Sequence, residues 1–192
     1  MAADERAHPA APAGLGPAGA GRILDVGCGL RKLPGAVGID GNPGTQADIV
    51  HDLNRAPWPL PDNAFDHIYC RHVVEHLEDI VRSMEEIHRV ARPGALVEIL
   101  TPHFSSLYSW RDPTHRHHLS LDSFEYFSEG PALMSFYTRK RFAIERKELR
   151  FGSALISWIP RFLAWLSPHK YENHLAFIFP AKELYFRLRV VK

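Results

Sequence analysis

Short apolar runs broken by glycine, proline and acidic residues set the rhythm of the first hundred positions. The stretch Gly21-Arg22-Ile23-Leu24-Asp25-Val26-Gly27-Cys28-Gly29 ends in a glycine turn, as a buried parallel strand entering a loop does. Residues 36–40, 47–51, 65–70 and 95–101 repeat the pattern. Five short strands in series predict an α/β sheet. Between the fourth and fifth, Val73, Leu77, Ile80, Met84, Ile87 and Ala91 recur at spacings of three and four. Glu78, Asp79, Glu85, Glu86 and Arg89 fall on the other face, and Pro93-Gly94 supplies a stop. That predicts a crossover helix returning the chain to a parallel strand.

After Thr101 the alternation is lost. Residues 102–121 are rich in Ser, Pro, His and aromatics, a loop long enough to carry function. Residues 121–127 predict another helix with Asp122 or Ser120 near its cap. Residues 142–151 and 183–191 predict strands, and Leu184, Phe186, Leu188 and Val190 share one face of the second. The segment between them is apolar and aromatic, with Pro160 and Pro168 as breaks. No internal repeat is present. The expected organisation is a disordered tail over residues 1–20 and one domain over residues 21–192, with inserts near 102–121 and 152–180.

Composition narrows the function classes. Of 192 residues, 45% are hydrophobic, enough for a full core, which excludes disorder of the whole chain. Cys28 and Cys70 are too few for a disulfide framework or a four-cysteine zinc site and read as reduced thiols of a cytoplasmic protein. The Ala, Gly and Pro-rich start, with Asp4 and Glu5, argues against a secretory signal. No segment has the roughly 18 uninterrupted apolar residues of a membrane span. Residues 139–192 carry twelve Lys and Arg against four Asp and Glu, so a peripheral contact with a membrane surface or an anionic ligand competes with plain solvated charge. No nucleic-acid partner is expected, and the oligomeric state is open.

The glycine turn can be assigned by elimination. A phosphate-binding loop needs Gly-Lys-Ser/Thr, which is absent, and a dinucleotide fingerprint needs glycine where Lys32 stands. Asp40 follows Gly29 by 11 residues, whereas a dinucleotide site places its acidic residue about 20 further on. Asp25 would repel a pyrophosphate but attract a cation. S-adenosylmethionine, with a sulfonium and an ammonium and no phosphate, suits that charge, and Gly27 and Gly29 would let backbone approach it. Asp40 can accept both ribose hydroxyls, and Asp52 can accept from the adenine amino group. Any single Asp at a strand end is more often a cap or turn residue, but all of them in this order are harder to dismiss.

ILDVGCG, VGIDGNP, ADIVHDLN, LPDNAFDHIYCRHVVEHLED and VARPGALVEILTP together resemble the class I methyltransferases, in particular the type 11 group of small-molecule enzymes. The resemblance runs from about Arg22 to Thr101. It implies a Rossmann-like seven-stranded, mostly parallel sheet with an antiparallel last strand and helices on both faces. It also implies S-adenosylmethionine at the carboxyl ends of strands one to four, with backbone contacts near Cys70 and Arg71. The chain departs from the family between Gly29 and Asp40, where residues 30–37 leave room for barely one helical turn and contain Pro34.

Transfer to an oxygen or nitrogen acceptor needs a proton acceptor, and histidine suits that near neutral pH. Four of the twelve histidines, His103, His115, His117 and His118, fall within 16 residues, with Asp112 among them, while His72 and His76 follow the fourth strand. His103 and His115 are the candidate bases. The cluster reads in three ways: an acceptor-pocket wall with a base, loop packing, or a His and Asp metal site whose ligands spacing cannot name. Phe104, Tyr108 and Trp110 are candidate pocket aromatics. Trp158, Phe162, Trp165 and Leu166, with Arg161, read as a lid or membrane patch or, preferably, a buried insert or dimer contact. The expected activity is methylation of a small molecule, a sugar or lipid-linked acceptor among the options. The alternatives are a non-catalytic S-adenosylmethionine-binding module and metal-dependent chemistry at the histidines.

Overall fold

Backbone pairing joins β1 (Ile23–Val26), β2 (Val37–Asp40), β3 (Ile49–Val50), β4 (Phe65–Arg71), β5 (Ala91–Pro102), β6 (Arg141–Arg150) and β7 (Glu183–Val191) into one sheet. The computed structural model describes residues 21–128, 136–152 and 157–192, so the expected tail over residues 1–20 lies outside the described residues. The strand order is β3-β2-β1-β4-β5-β7-β6. The first five strands pair in parallel, and β7 runs antiparallel to both β5 and β6. The expected Rossmann-like, seven-stranded architecture is therefore present.

The core follows the pattern of the sequence. Leu24, Val26, Ile39, Ile68, Val97 and Ile99 are fully buried, as strands covered on both faces require. Leu184, Phe186, Leu188 and Val190 bury one face of β7, as their alternation predicts. Residues 30–36 form turns rather than a helix, so β1 connects to β2 almost directly.

The crossover helix is shorter than its periodicity. α1 spans Ile80–Val90, and the Asp79 side chain accepts from Arg82 N at 2.9 Å to cap it. Val73 and Leu77 are buried for another reason: they flank a single 3-10 turn, Val74–His76, beneath the glycine loop. At the other end Ala91 is already extended and pairs with Phe65, so the helix stops before Pro93-Gly94. Glu86, expected on the exposed face, is buried: it accepts from Trp58 N at 2.7 Å and pairs with Arg89. That pairing ties the loop before β4 to α1.

Four further expectations are corrected. Residues 121–127 form turns and a 3-10 segment, Glu125–Phe127, and the Asp122 carboxylate reaches Lys147 and His169 rather than capping a helix. The loop after β5 contains a short helix, α2 (Leu107–Arg111), capped by the Ser106 hydroxyl. Pro160 is not a break. It sits in the first turn of α3 (Trp158–Leu166), where a missing N–H costs nothing, and Pro168 opens α4 (Pro168–His174). Trp158, Phe162, Trp165 and Leu166 are exposed on α3, so they are not a buried insert of this chain. Among the described residues no helix is long and apolar enough to cross a membrane.

Candidate active site at the carboxyl edge of the sheet

The glycine turn after β1 is shaped by two different requirements. Gly27 has φ +64° and donates its N–H to Ile39 O at 2.8 Å. A Cβ there would stand 2.4 Å from Val73 Cγ2, so Gly27 is demanded by packing within the protein. Gly29 has φ +55° and nothing within 4 Å of a Cβ position, so its glycine faces open space. Gly29 N donates to Asp40 Oδ2 at 2.9 Å, and Asn42 N donates to Oδ1 at 2.8 Å. Each Asp40 oxygen accepts one of these bonds and has capacity for a second. Asp52 lies against the same turn, where a Cβ on Gly41 would come 3.8 Å from its Cα. Its exposed carboxylate accepts from Asn54 N and pairs with Arg55.

Asp25 is fully buried at the end of β1. Its Oδ2 accepts from Leu33 N at 2.8 Å and Arg71 Nη2 at 2.9 Å, while Oδ1 is buried without a hydrogen-bond partner among the described residues. The charge that the sequence assigns to attracting a cation is thus already met by Arg71, and Oδ1 is what remains. Burial pushes the Cys70 thiol far above its ordinary value and raises that of Cys28, so both are neutral thiols and Cys70 can offer a ligand only its backbone.

Immediately after Arg71, His72 has φ +52°, a rare conformation for a side-chain-bearing residue. It opens a cleft of about 660 Å³ between the 3-10 turn, the end of β5, α2 and the start of β7. Glu75, His76, His115, Tyr108, Arg111 and Lys182 line it. Glu75 is 1% exposed, and its Oε2 accepts from Thr101 Oγ1 at 3.0 Å. His72 Nδ1 stands 3.3 Å from Glu75 Oε1, and this carboxylate raises the His72 pKa above its ordinary value.

The four histidines of the 103–118 segment separate. His115 lines the cleft; its Nδ1 bonds Ser109 O at 3.1 Å, and its ring meets His76 edge-on at 4.5 Å. His103 points away from the cleft and is completely buried, with Nδ1 on Ser105 Oγ at 2.7 Å and Nε2 on Glu172 Oε1 of α4 at 3.0 Å. That geometry corrects the expectation of a base at His103: both nitrogens are engaged and the residue fastens α4 to β5. His117 bonds Leu77 O, and His118 stacks on Trp110. Tyr108 lines the cleft, whereas Phe104 packs with the α3–α4 cluster.

A family model described as a methyltransferase domain matches residues 24–99, the stretch that carries the glycine turn, Asp40, Asp52 and Glu75. Ajmaline N-methyltransferase of Rauvolfia serpentina is 29% identical over 41% of this chain and 35% of its own length. Demethylmenaquinone methyltransferase of Lysinibacillus sphaericus is 29% identical over 36% of this chain and 29% of its own. The structure of an S-adenosylmethionine dependent methyltransferase from Mesorhizobium loti superposes with a TM-score of 0.56 at 19% identity, covering 91% of this chain and 94% of that one. Residues 24–99 thus resemble a methyltransferase domain, and the chain shares the fold of a solved S-adenosylmethionine dependent methyltransferase. Its match spans little more than a third of the length of these curated relatives or less.

The residues of this site suit S-adenosylmethionine, the donor of the methyltransferases that the chain resembles. The orphaned Asp25 Oδ1 is an acceptor awaiting a donor, and the open side of Gly29 admits close approach. Sequence reasoning placed the glycine turn and acidic residues on one edge, and the structure brings Asp25, Gly27, Gly29, Asp40 and Arg71 together there. It missed Glu75, Arg111, Lys182 and Glu183. Glu75 was hidden because Val73 and Leu77 fit a helical period; its signal was the adjacent His76, an ionisable pair directly after two valines.

Proposed function

We propose that this chain transfers a methyl group from S-adenosylmethionine to a polar small-molecule acceptor held in the cleft beyond His72. The observation that carries the reading is the continuity of two sites through consecutive residues. Arg71 completes the glycine-turn site through Asp25, and His72 opens the cleft. S-adenosylmethionine supplies an electrophilic methyl group. The chain's own task is to hold the acceptor in line with it and take a proton away. Glu75, Glu183, Arg111 and Lys182 all line the cleft, with Lys182 paired to Glu183 at 2.8 Å, a lining that favours a polar acceptor over an apolar one. His115, with Nδ1 turned to a carbonyl, is oriented with Nε2 free to receive a proton, and it replaces His103 as the base candidate.

Asp40, Asp52 and the backbone at Cys70 and Arg71 are assigned to the donor. Calorimetry with S-adenosylhomocysteine and NAD tests this: binding of the first and not the second is expected. Asp40→Ala should weaken S-adenosylhomocysteine binding by about 1.5 to 3 kcal/mol, the range for bonds to a charged group. Formation of S-adenosylhomocysteine from S-adenosylmethionine with a panel of hydroxyl and amine acceptors tests the transfer. Donor binding with no turnover on any acceptor would favour a non-catalytic binding module.

A further inference from the structure

Glu75, His76 and His115 bring one carboxylate oxygen and two imidazole nitrogens within 4.8 Å of one another on the inner wall of the cleft. We propose that these three side chains hold a divalent transition-metal ion.

The hydrogen bonds around them are those of a ligand set. Thr114 Oγ1 donates to Asp112 Oδ1 at 2.7 Å, so its lone pair is left to accept from His76 Nδ1 at 2.9 Å. His115 Nδ1 faces the Ser109 carbonyl at 3.1 Å and must also donate. Both rings are thereby fixed with the proton on Nδ1 and a lone pair on Nε2. A carbonyl holds the far nitrogen of His115, and a hydroxyl backed by the Asp112 carboxylate holds that of His76, outer partners of the kind that orient metal-binding histidines. Glu75 supplies the second, independent observation. Its side chain is 1% exposed, Oε2 is held by Thr101, and among the described residues Oε1 is buried with no aligned hydrogen-bond partner. Its ion-pair partner is the half-exposed His72, with Nδ1 3.3 Å away. A cation in the cleft would give this buried oxygen a closer partner than that pair supplies.

The backbone locks the ligands together. Arg116 N and His117 N both donate to Glu75 O, at 2.8 and 3.2 Å, so the segment carrying His115 is pinned to the turn carrying Glu75 and His76. Ligand atoms each about 2.0 to 2.2 Å from a metal stand roughly 3.3 Å apart, so closing from 4.8 Å needs only small side-chain rotations. Two imidazoles with one carboxylate favour zinc, cobalt, nickel or iron over magnesium or calcium, which prefer all-oxygen shells. With three protein ligands the ion would keep coordination positions open. Bound through Nε2, His115 would be a ligand and not the proton acceptor, so the two roles exclude each other, and metal binding does not rest on the methyl-transfer reading.

A second triad, Asp122, His169 and Glu172, also has ligand atoms this close. It is already satisfied: the Lys147 ammonium lies 2.6 Å from Asp122 Oδ1, and Glu172 Oε1 accepts from His103 and Leu121 N. A bound cation there would meet Lys147.

The full-length chain, stripped with a chelator, is titrated with Zn²⁺ by equilibrium dialysis and with Co²⁺ by visible absorption. One equivalent of Zn²⁺ per chain is expected, with Co²⁺ ligand-field bands that Zn²⁺ abolishes. His115→Ala and Glu75→Gln should each weaken Zn²⁺ binding by about tenfold or more, at least the loss seen when an outer-shell partner is removed. His169→Ala should leave it unchanged. Should Glu75→Gln not fold, His115→Ala decides alone, its fold checked by circular dichroism. Failure of the wild type to bind Zn²⁺, equal binding by His115→Ala, or loss only in His169→Ala would each overturn the proposal. None of these readings depends on turnover, so failure of the methyl-transfer proposal would leave them standing.

Discussion

Arg71 Nη2 donates to Asp25 Oδ2 at 2.9 Å, joining the ends of β1 and β4 across 46 positions of the chain. Asp25 is fully buried, while the Arg71 side chain is 35% exposed, so the burden of losing the pair falls on the carboxylate. Arg71→Ala should destabilise the fold by about 2 kcal/mol, below the usual cost of breaking a buried pair because solvent reaches the guanidinium side. In an Asp25→Asn background the same substitution should cost about 0.5 kcal/mol or less. Urea denaturation of the four proteins of the cycle measures this; equal costs in both backgrounds would show that the pair contributes nothing.

The two glycines of the turn should fail in opposite ways. Gly27→Ala places a Cβ against Val73 at positive φ and should cost about 2 to 4 kcal/mol through overpacking and backbone strain. Gly29→Ala meets no atom, so only its φ of +55° opposes the change, at about 1 kcal/mol. Its defect should instead appear in S-adenosylhomocysteine affinity. Denaturation and calorimetry on both variants would expose a reversed pattern.

His103 and His115 are separable by the same comparison of stability with turnover. His103→Ala removes a fully buried ring and leaves Glu172 short of a partner, so a loss of about 2 to 3 kcal/mol in stability is expected, with turnover per folded molecule preserved. His115→Ala should keep its melting temperature within about 2 °C and lose turnover by about a hundredfold or more, the lower end of what a general base contributes. Both readings of His115, base and metal ligand, share this outcome, and Zn²⁺ titration distinguishes them.

Acid should weaken the fold through His88. Burial lowers its pKa below the ordinary value, outweighing the bond from Nε2 to Val191 O at 2.8 Å, with Lys192 and Lys140 lowering it further and Glu85 opposing. The unfolded chain therefore takes up a proton that the folded chain refuses. The contribution is fully present above the unfolded value near 6.5 and is lost as pH falls through the folded value. His72, raised by Glu75, acts in the opposite sense, so the informative quantity is the difference between wild type and His88→Gln. Melting curves between pH 7.5 and 5.0 should fall less steeply for the variant.

The strands were legible because their signal is local. The stretch 183–191 alternates at period two, and that period alone decides which side chains share a face. The same locality explains the glycine turn with Asp25 and Asp40: strand ends fix where those residues emerge, so their order along the chain already places them on one edge. Periodicity misled where burial had a different origin. Val73 matches a helical period with Ile80, yet it is buried because Gly27 lets it pack beneath the turn, and the helix begins only after Asp79.

The division among the histidines was decided by the tertiary structure alone. His103 and His115 lie in the same loop and are chemically identical in sequence, but Glu172 of α4 captures the first, and Arg116 N bonding Glu75 O holds the second against the cleft. Those partners come from 69 and about 40 positions away. Spacing along a chain fixes the direction of a side chain only within one helix or strand. Across a loop, the direction is set by whichever distant donors and acceptors must be satisfied when the core closes.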